Sequence, residues 1–213
     1  MQRIMNDLFR DIIRRPQLAV MYMRNLGHRL GASGTKLENT IQGLKDSLKI
    51  VSDSKFKYWE FDVRESLDGI LFVFHDDYIF LNGERINTCL LQMSQIILAG
   101  KEIGIEIPTL NQVITELEKR VEPVMIEIKE LISDHCRAEI IDLVSGREGW
   151  KLMATPERFN DSFPFESRNR WRELASQKEV KLVRVGRHRA QLFRFSDSAL
   201  GRLYLYPRWF FGI

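Results

Sequence analysis

The sequence predicts an α/β domain built from β/α units, and three observations carry that expectation. Runs of β-branched and aromatic residues alternate with segments of helical period. A length of 213 residues suits one substantial core, and no repeat or linker divides it. Acids and imidazoles fall at the ends of the strand-like runs, where βα barrels keep their active sites.

The elements follow in order. Ile4, Met5, Leu8, Ile12 and Ile13 recur at helical spacing beside Arg3, Arg10, Arg14 and Arg15. This predicts an amphipathic helix over residues 1–24 that packs on the domain, although the same pattern suits a membrane surface. Residues 25–213 are expected to form a single domain. A short strand around 25–29 should lead into the loop GHRLGASGTKLENT, and a helix should run from 38–40 to about 52. YWEFDV (58–63) and ILFVFH (70–75) read as adjacent strands around a turn at Leu67-Asp68-Gly69. Helices are expected over 89–100 and within IPTLNQVITELEKR (107–120), where Pro108 sits near the first turn. PVMIEIK (123–129) is a strand, 134–146 a helix, GWKLMAT (149–155) a strand, ESRNRWRELASQ (166–177) a helix and VKLVRVG (180–186) a strand. AQLFRFS and RLYLYP look like further strands whose connections are too short for crossover helices. A barrel would therefore close with hairpins there or stay incomplete.

Apolar and charged fractions of 44% and 29% are those of an ordinary globular protein, which argues against disordered, collagen-like and membrane-bundle classes. With 32 basic against 29 acidic residues, a dedicated nucleic-acid protein is not expected. From Arg168 onward eleven Lys/Arg face only Glu173, Glu179 and Asp197, a segment that suits an anionic surface or a merely solvated face. Cys89 and Cys136 lack metal-ligand spacing and read as free thiols in a reducing compartment. The N-terminus has no uninterrupted apolar core for a signal peptide or a span, so a cytoplasmic location is expected.

Period two along a strand puts Glu60 and Asp62 on one side. Inside a core such a pair is costly unless a cation lies between its members, whereas on a surface strand both acids simply face water. His75 ends the apolar run from Ile70 to Phe74, and His28 follows the short strand before it. Either histidine taken alone could be structural. Glu127 and Lys129 alternate in the same way, and alone would suggest a salt bridge. Together with Arg29, these residues make a more specific set. Three hard oxygen ligands suit Mg²⁺ or Ca²⁺ better than zinc. Two imidazoles can act as general acid and base near neutrality. Arg29 and Lys129 can balance the charge that a phosphate gathers in its transition state. Metal-assisted cleavage of a phosphodiester uses them all.

The ordered set GHR (27–29), ENT (38–40), EFDV (60–63), DGILFVFHD (68–76), IPTL (107–110) and EIK (127–129) resembles the glycerophosphodiester phosphodiesterase family, over about residues 25–130. The resemblance implies a TIM (β/α)8-type barrel of the PI-PLC-like phosphodiesterase superfamily, compact or shortened in its second half. It implies hydrolysis of glycerophosphodiesters to an alcohol and sn-glycerol 3-phosphate with a divalent cation, Mg²⁺ or Ca²⁺. Carried over by position, Glu60, Asp62 and Glu127 are the metal ligands, and His28 and His75 the acid/base pair. Arg29 and Lys129 are the phosphate-binding cations, with Asn39 supporting the loop beside them. The expected partner is a small-molecule phosphodiester rather than nucleic acid, and peripheral membrane contact is compatible with the chain. Two alternatives stand beside this reading. One is a lysophospholipase D-like or glycerophosphate-transferring enzyme at a membrane or polysaccharide, and the other a non-catalytic metal-binding barrel module. The sequence departs from the family pattern in three places. Leu30 replaces a glycine and is expected to avoid positive φ, HDDYIFLNGERINT runs quickly to the next helix, and LYPRWFFGI lacks a Trp-Thr-Val-Asn-like motif.

Overall fold

The computed structural model of the chain describes residues 25–184. A turn region at 26–34 precedes α1 (Ile41–Asp46), which Thr40 caps by accepting a hydrogen bond from the Gly43 amide. The expected helix to about 52 is split at Ser47, after which a 3-10 turn spans Leu48–Ser52. No strand forms at 25–29. Gly27 and Leu30 instead make two hydrogen bonds to the Glu60 backbone and then turn away.

Every residue of β1 (Trp59–Glu65) is buried, because helices and loops cover one of its faces and the site fills the other. β2 (Leu71–Val73) runs back antiparallel to β1, opposite in sense to a barrel strand. A hairpin follows, β3 (Tyr78–Leu81) and β4 (Glu84–Asn87), around Asn82-Gly83 at φ of 53° and 81°. A hairpin turn with positive φ at both central residues is of type I′, and Asn-Gly supplies that conformation cheaply. The segment after His75 thus forms a structure of its own instead of running straight to a helix. α2 (Met93–Glu102) begins later than expected because Gln92 and Gln95 close a capping box, and α3 (Leu110–Leu117) uses another between Thr109 and Gln112.

β5 (Val124–Glu130) then pairs parallel to β1. α4 (Asp134–Val144) leads to β6 (Trp150–Ala154), and α5 (Pro156–Ser162) with α6 (Arg168–Gln177) leads to β7 (Lys181–Arg184). α5 has no counterpart in the expected elements, although Thr155 caps it and Pro156 occupies its first turn. The sheet order is β2-β1-β5-β6-β7, with the last four strands parallel. This is the β/α arrangement of a shortened TIM-type barrel. Among the described residues the sheet stays open, with β2 and β7 at its edges. The expected N-terminal helix, the strands AQLFRFS and RLYLYP, and most of the basic C-terminal segment lie outside the described residues.

Two apolar clusters hold these elements. The larger packs Phe61, Ile126, Ile128 and Leu152 against Val113, Ile140 and Trp171. The smaller joins Phe72, Ile79, Leu81, Met93, Ile96 and Ile107 under the hairpin and α2. Each fully buried side chain of this size contributes roughly 1.5–3 kcal/mol. The larger cluster therefore fixes β1 and β5, and those two strands carry the site.

Candidate active site

Glu60 and Asp62 stand on one face of β1, and Glu127 is the register partner of Asp62 on β5. One carboxylate oxygen from each lies within 4.8 Å of the others. Their exposures are 3%, 1% and 9%, so the alternative of acids on a water-facing strand is excluded. The β1–β5 pairing then slips: Val63 faces Ile128 but Arg64 faces Glu130, which leaves Lys129 as the extra residue of a bulge. A bulge re-aims the side chain it carries. The Lys129 Nζ lies 2.7 Å from Glu127 Oε1 and 3.1 Å from Asp62 Oδ1.

The loop after residue 27 supplies the second layer. The Asn39 Nδ2 donates to Asp62 Oδ2 at 2.8 Å, and its Oδ1 accepts from the Asp62 amide at 3.3 Å. The Arg29 amide donates to Glu60 Oε2 at 2.9 Å, its Nη1 donates to Glu38 Oε1 at 2.6 Å, and its Nε lies 3.7 Å from Asp62 Oδ2. The His28 Nε2 is 3.6 Å from Glu60 Oε2, while Nδ1 is 2.8 Å from Ser33 Oγ. Arg29, Leu30 and Asn39 all have positive φ, at 52°, 57° and 61°. The expectation that Leu30 would avoid this region is corrected. Its side chain is fully buried and its amide donates to the Glu60 carbonyl at 2.8 Å, which together hold a strained backbone that glycine would adopt freely.

His75 arrives from the other direction. Because β2 is antiparallel, the chain leaving it runs down the edge of β1 that faces away from β5, and the Phe74 amide donates to the Asp62 carbonyl at 3.0 Å. The histidines therefore flank that edge instead of sitting at the ends of parallel strands. The His75 Nδ1 lies 2.7 Å from Asp76 Oδ1. Beside His75 and Asn39 opens a cleft of about 530 Å³, lined also by Lys36, Phe74, Ile103 and Ile105.

The charges are strongly coupled. Burial, then the neighbouring Asp62 and Glu127, push Glu60 well above the usual carboxylate range. Burial also opposes the charge on Asp62, yet Lys129, His75 and the Asn39 hydrogen bond hold its pKa below the usual value. Lys129 is raised: burial works against its charge, but Asp62 and Glu127 more than offset it. The cluster thus keeps Asp62 and Lys129 charged while Glu60 calls for a proton or a cation. The Glu60 Oε1 is buried without a hydrogen-bond partner among the described residues. Three hard oxygen donors with one of them unsatisfied fit a divalent cation.

No family model matches the sequence, and no curated protein matches it. Solved structures do. A glycerophosphodiester phosphodiesterase from Galdieria sulphuraria aligns over 78% of this chain and 65% of its own, with 19% identity and a TM-score of 0.54. A glycerophosphoryl diester phosphodiesterase from Silicibacter pomeroyi aligns over 73% of this chain and 62% of its own, with 20% identity and a TM-score of 0.50. The chain shares the glycerophosphodiester phosphodiesterase fold. It spans a little under two thirds of the length of these two phosphodiesterases.

All eight residues singled out from the sequence, His28, Arg29, Asn39, Glu60, Asp62, His75, Glu127 and Lys129, lie on β1, on β5 or in the two segments along the edge of β1 that faces away from β5. Sequence reasoning missed their supports. Ser33 holds His28, Glu38 holds Arg29, and Asp76 holds His75. Arg64 had a readable signal, since it continues the period-two series of Glu60 and Asp62. Arg158 had none, because it belongs to the unexpected α5.

Proposed function

We propose that this chain hydrolyses glycerophosphodiesters to an alcohol and sn-glycerol 3-phosphate, using a divalent cation held by Glu60, Asp62 and Glu127. The observation that carries this is the buried three-carboxylate cluster with its unsatisfied Glu60 Oε1, flanked by two histidines. The shared phosphodiesterase fold supports it. When bound, the cation supplies Lewis-acid polarisation and charge neutralisation at the phosphate. Lys129 and Arg29 orient the phosphate oxygens and balance their charge. Asn39 keeps Asp62 aimed by bonding both its side chain and its amide.

The histidines move the protons. The Asp76 carboxylate can only accept, so the His75 Nδ1 donates to it and Nε2 is left as the basic nitrogen. That favours His75 as the base that takes a proton from the attacking hydroxyl. His28, with Nδ1 engaged by Ser33 and Nε2 near Glu60, then protonates the leaving alcohol. The test is incubation of the purified chain with glycerophosphocholine and Mg²⁺, Ca²⁺ or Mn²⁺. Release of sn-glycerol 3-phosphate, lost on chelation and restored by the metal, is expected. A folded chain that turns over none of a panel of glycerophosphodiesters with any of these ions overturns the proposal.

A second reading shares the chemistry but changes the leaving group. Phe74, Ile103 and Ile105 give the cleft an apolar wall beside His75, which suits a lysophospholipid of the kind a lysophospholipase D cleaves. Faster turnover of lysophosphatidylcholine than of glycerophosphocholine would select it. Among the described residues no helix is long and apolar enough to cross a membrane, and Cys89 and Cys136 are free thiols. The thiols support a reducing, cytoplasmic setting.

A further inference from the structure

Arg64 is fully buried on the face of β1 that carries Glu60 and Asp62. Burying a guanidinium is costly unless its partners are well placed. Its partners are informative. The Nη1 donates to Glu130 Oε2 at 3.1 Å, while Nη2 donates to the His75 carbonyl at 2.9 Å and to Asp77 Oδ1. Asp77 also receives Arg158, whose Nη2 lies 2.6 Å and 2.9 Å from its two oxygens. The Asp77 carbonyl accepts from the Thr88 amide at 3.0 Å. Residues 75–77 are thereby tied to β1, to α5 and to the turn after β4. The imidazole, in contrast, is held by Asp76, whose side chain is 70% exposed. Such a ring can be aimed only as well as its backbone is fixed.

We propose that Arg64 and Arg158, joined through Asp77, are positioning residues that set the orientation of His75. This rests on the reading of His75 as a proton-transfer group. Neither arginine need touch substrate. Arg158 lies on α5, so the clamp links a late β/α unit to a residue in the first half of the chain, and this explains a buried charge that packing alone would replace with an apolar side chain.

The test uses the full chain carrying Arg158→Met, Asp77→Asn or Arg64→Lys. Ring resonances of isotope-labelled histidine are recorded at fixed pH, alongside kcat, KM and Mn²⁺ affinity. Arg158→Met leaves the buried Arg64 in place and so keeps the question answerable if Arg64→Lys does not fold. In Arg158→Met the His75 resonances are expected to shift or broaden while those of His28 stay put. The kcat should fall by about 10-fold, with KM and Mn²⁺ affinity within about 2-fold, because misplacing a reacting group costs rate more than binding. Unmoved His75 resonances in folded Arg158→Met and Asp77→Asn overturn the proposal, as does an equal movement of His28, which would mean general loosening. If the wild-type chain does not hydrolyse a glycerophosphodiester, the functional reading fails, while the resonances still decide whether the clamp sets the ring.

Discussion

The β1–β5 pair and the segment from Phe74 to Ile107 meet at one site but are built by different means. On the strands the three carboxylates are buried and held by long-range pairing: Asp62 faces Glu127 across the ladder, and a bulge delivers the partly buried Lys129 to both. The later segment rests on the smaller apolar cluster and leaves Tyr78, Phe80, Leu98 and Ile103 exposed. The three carboxylates that could hold a cation sit on the more deeply packed part. The wall that would meet a variable leaving group sits on the looser part. Division of labour of this kind lets one change without disturbing the other.

The largest effect should come from the proton-transfer groups. His28→Ala or His75→Ala is expected to lower kcat/KM by about 1000-fold, or about 4 kcal/mol, in a steady-state assay with saturating metal. Loss below about 10-fold for both would remove them from the chemistry. Next come the two cores. Ile126→Ala, in the large cluster, should cost about 3 kcal/mol of global stability by urea unfolding, whereas Ile96→Ala should act mainly on the small cluster. Hydrogen exchange separates them: Ile96→Ala should speed exchange over residues 78–102 and leave β5 protected. Uniform acceleration across both regions would mean that the two clusters unfold as one. Smaller again is Phe74→Ala on the cleft wall, expected to raise KM about 5-fold with kcat nearly unchanged, since it removes binding common to ground and transition states.

The same contrast decides what could be read from the sequence. β1 and β5 were legible because alternation of acid and apolar residues survives in a strand buried on both faces, and the turn at Leu67-Asp68-Gly69 announced β2. The antiparallel direction of β2 is what brings His75 beside β1, and a β/α reading of the chain does not supply it. The β3–β4 hairpin has a signal in Asn82-Gly83 between YIFL and ERIN, but flanking runs of four residues are too short to show a clear period. At Leu30 local preference points the wrong way, because burial of its side chain overrides the cost of positive φ. The eight candidate residues stand out in the sequence by type and order, and the fold places them along β1, β5 and the segments beside β1. Their supports do not stand out, since contacts such as Arg158 to Asp77 join positions far apart in the chain and leave no periodic trace.

The smallest expected effect tests the joint between the two regions. Burial is the largest single influence on Asp77 and pushes it up, but the hydrogen bonds and charges of Arg64 and Arg158 together prevail and hold its pKa below the ordinary aspartate value. A carboxyl that is more acidic when folded binds fewer protons folded than unfolded, so its contribution to stability is present above the unfolded pKa of about 3.9 and is lost as pH falls through the lower folded value. The side chain is 39% exposed, and solvent screening keeps the effect small. Urea midpoints measured downward from about pH 5 should therefore fall more steeply for the wild type than for Asp77→Asn, with the difference confined to the acid limb. Parallel profiles would mean that the arginines do not bear on the Asp77 carboxylate in solution, and the His75 segment would then be held by the bonds of the Asp77 carbonyl to Thr88 and of the His75 carbonyl to Arg64, without α5.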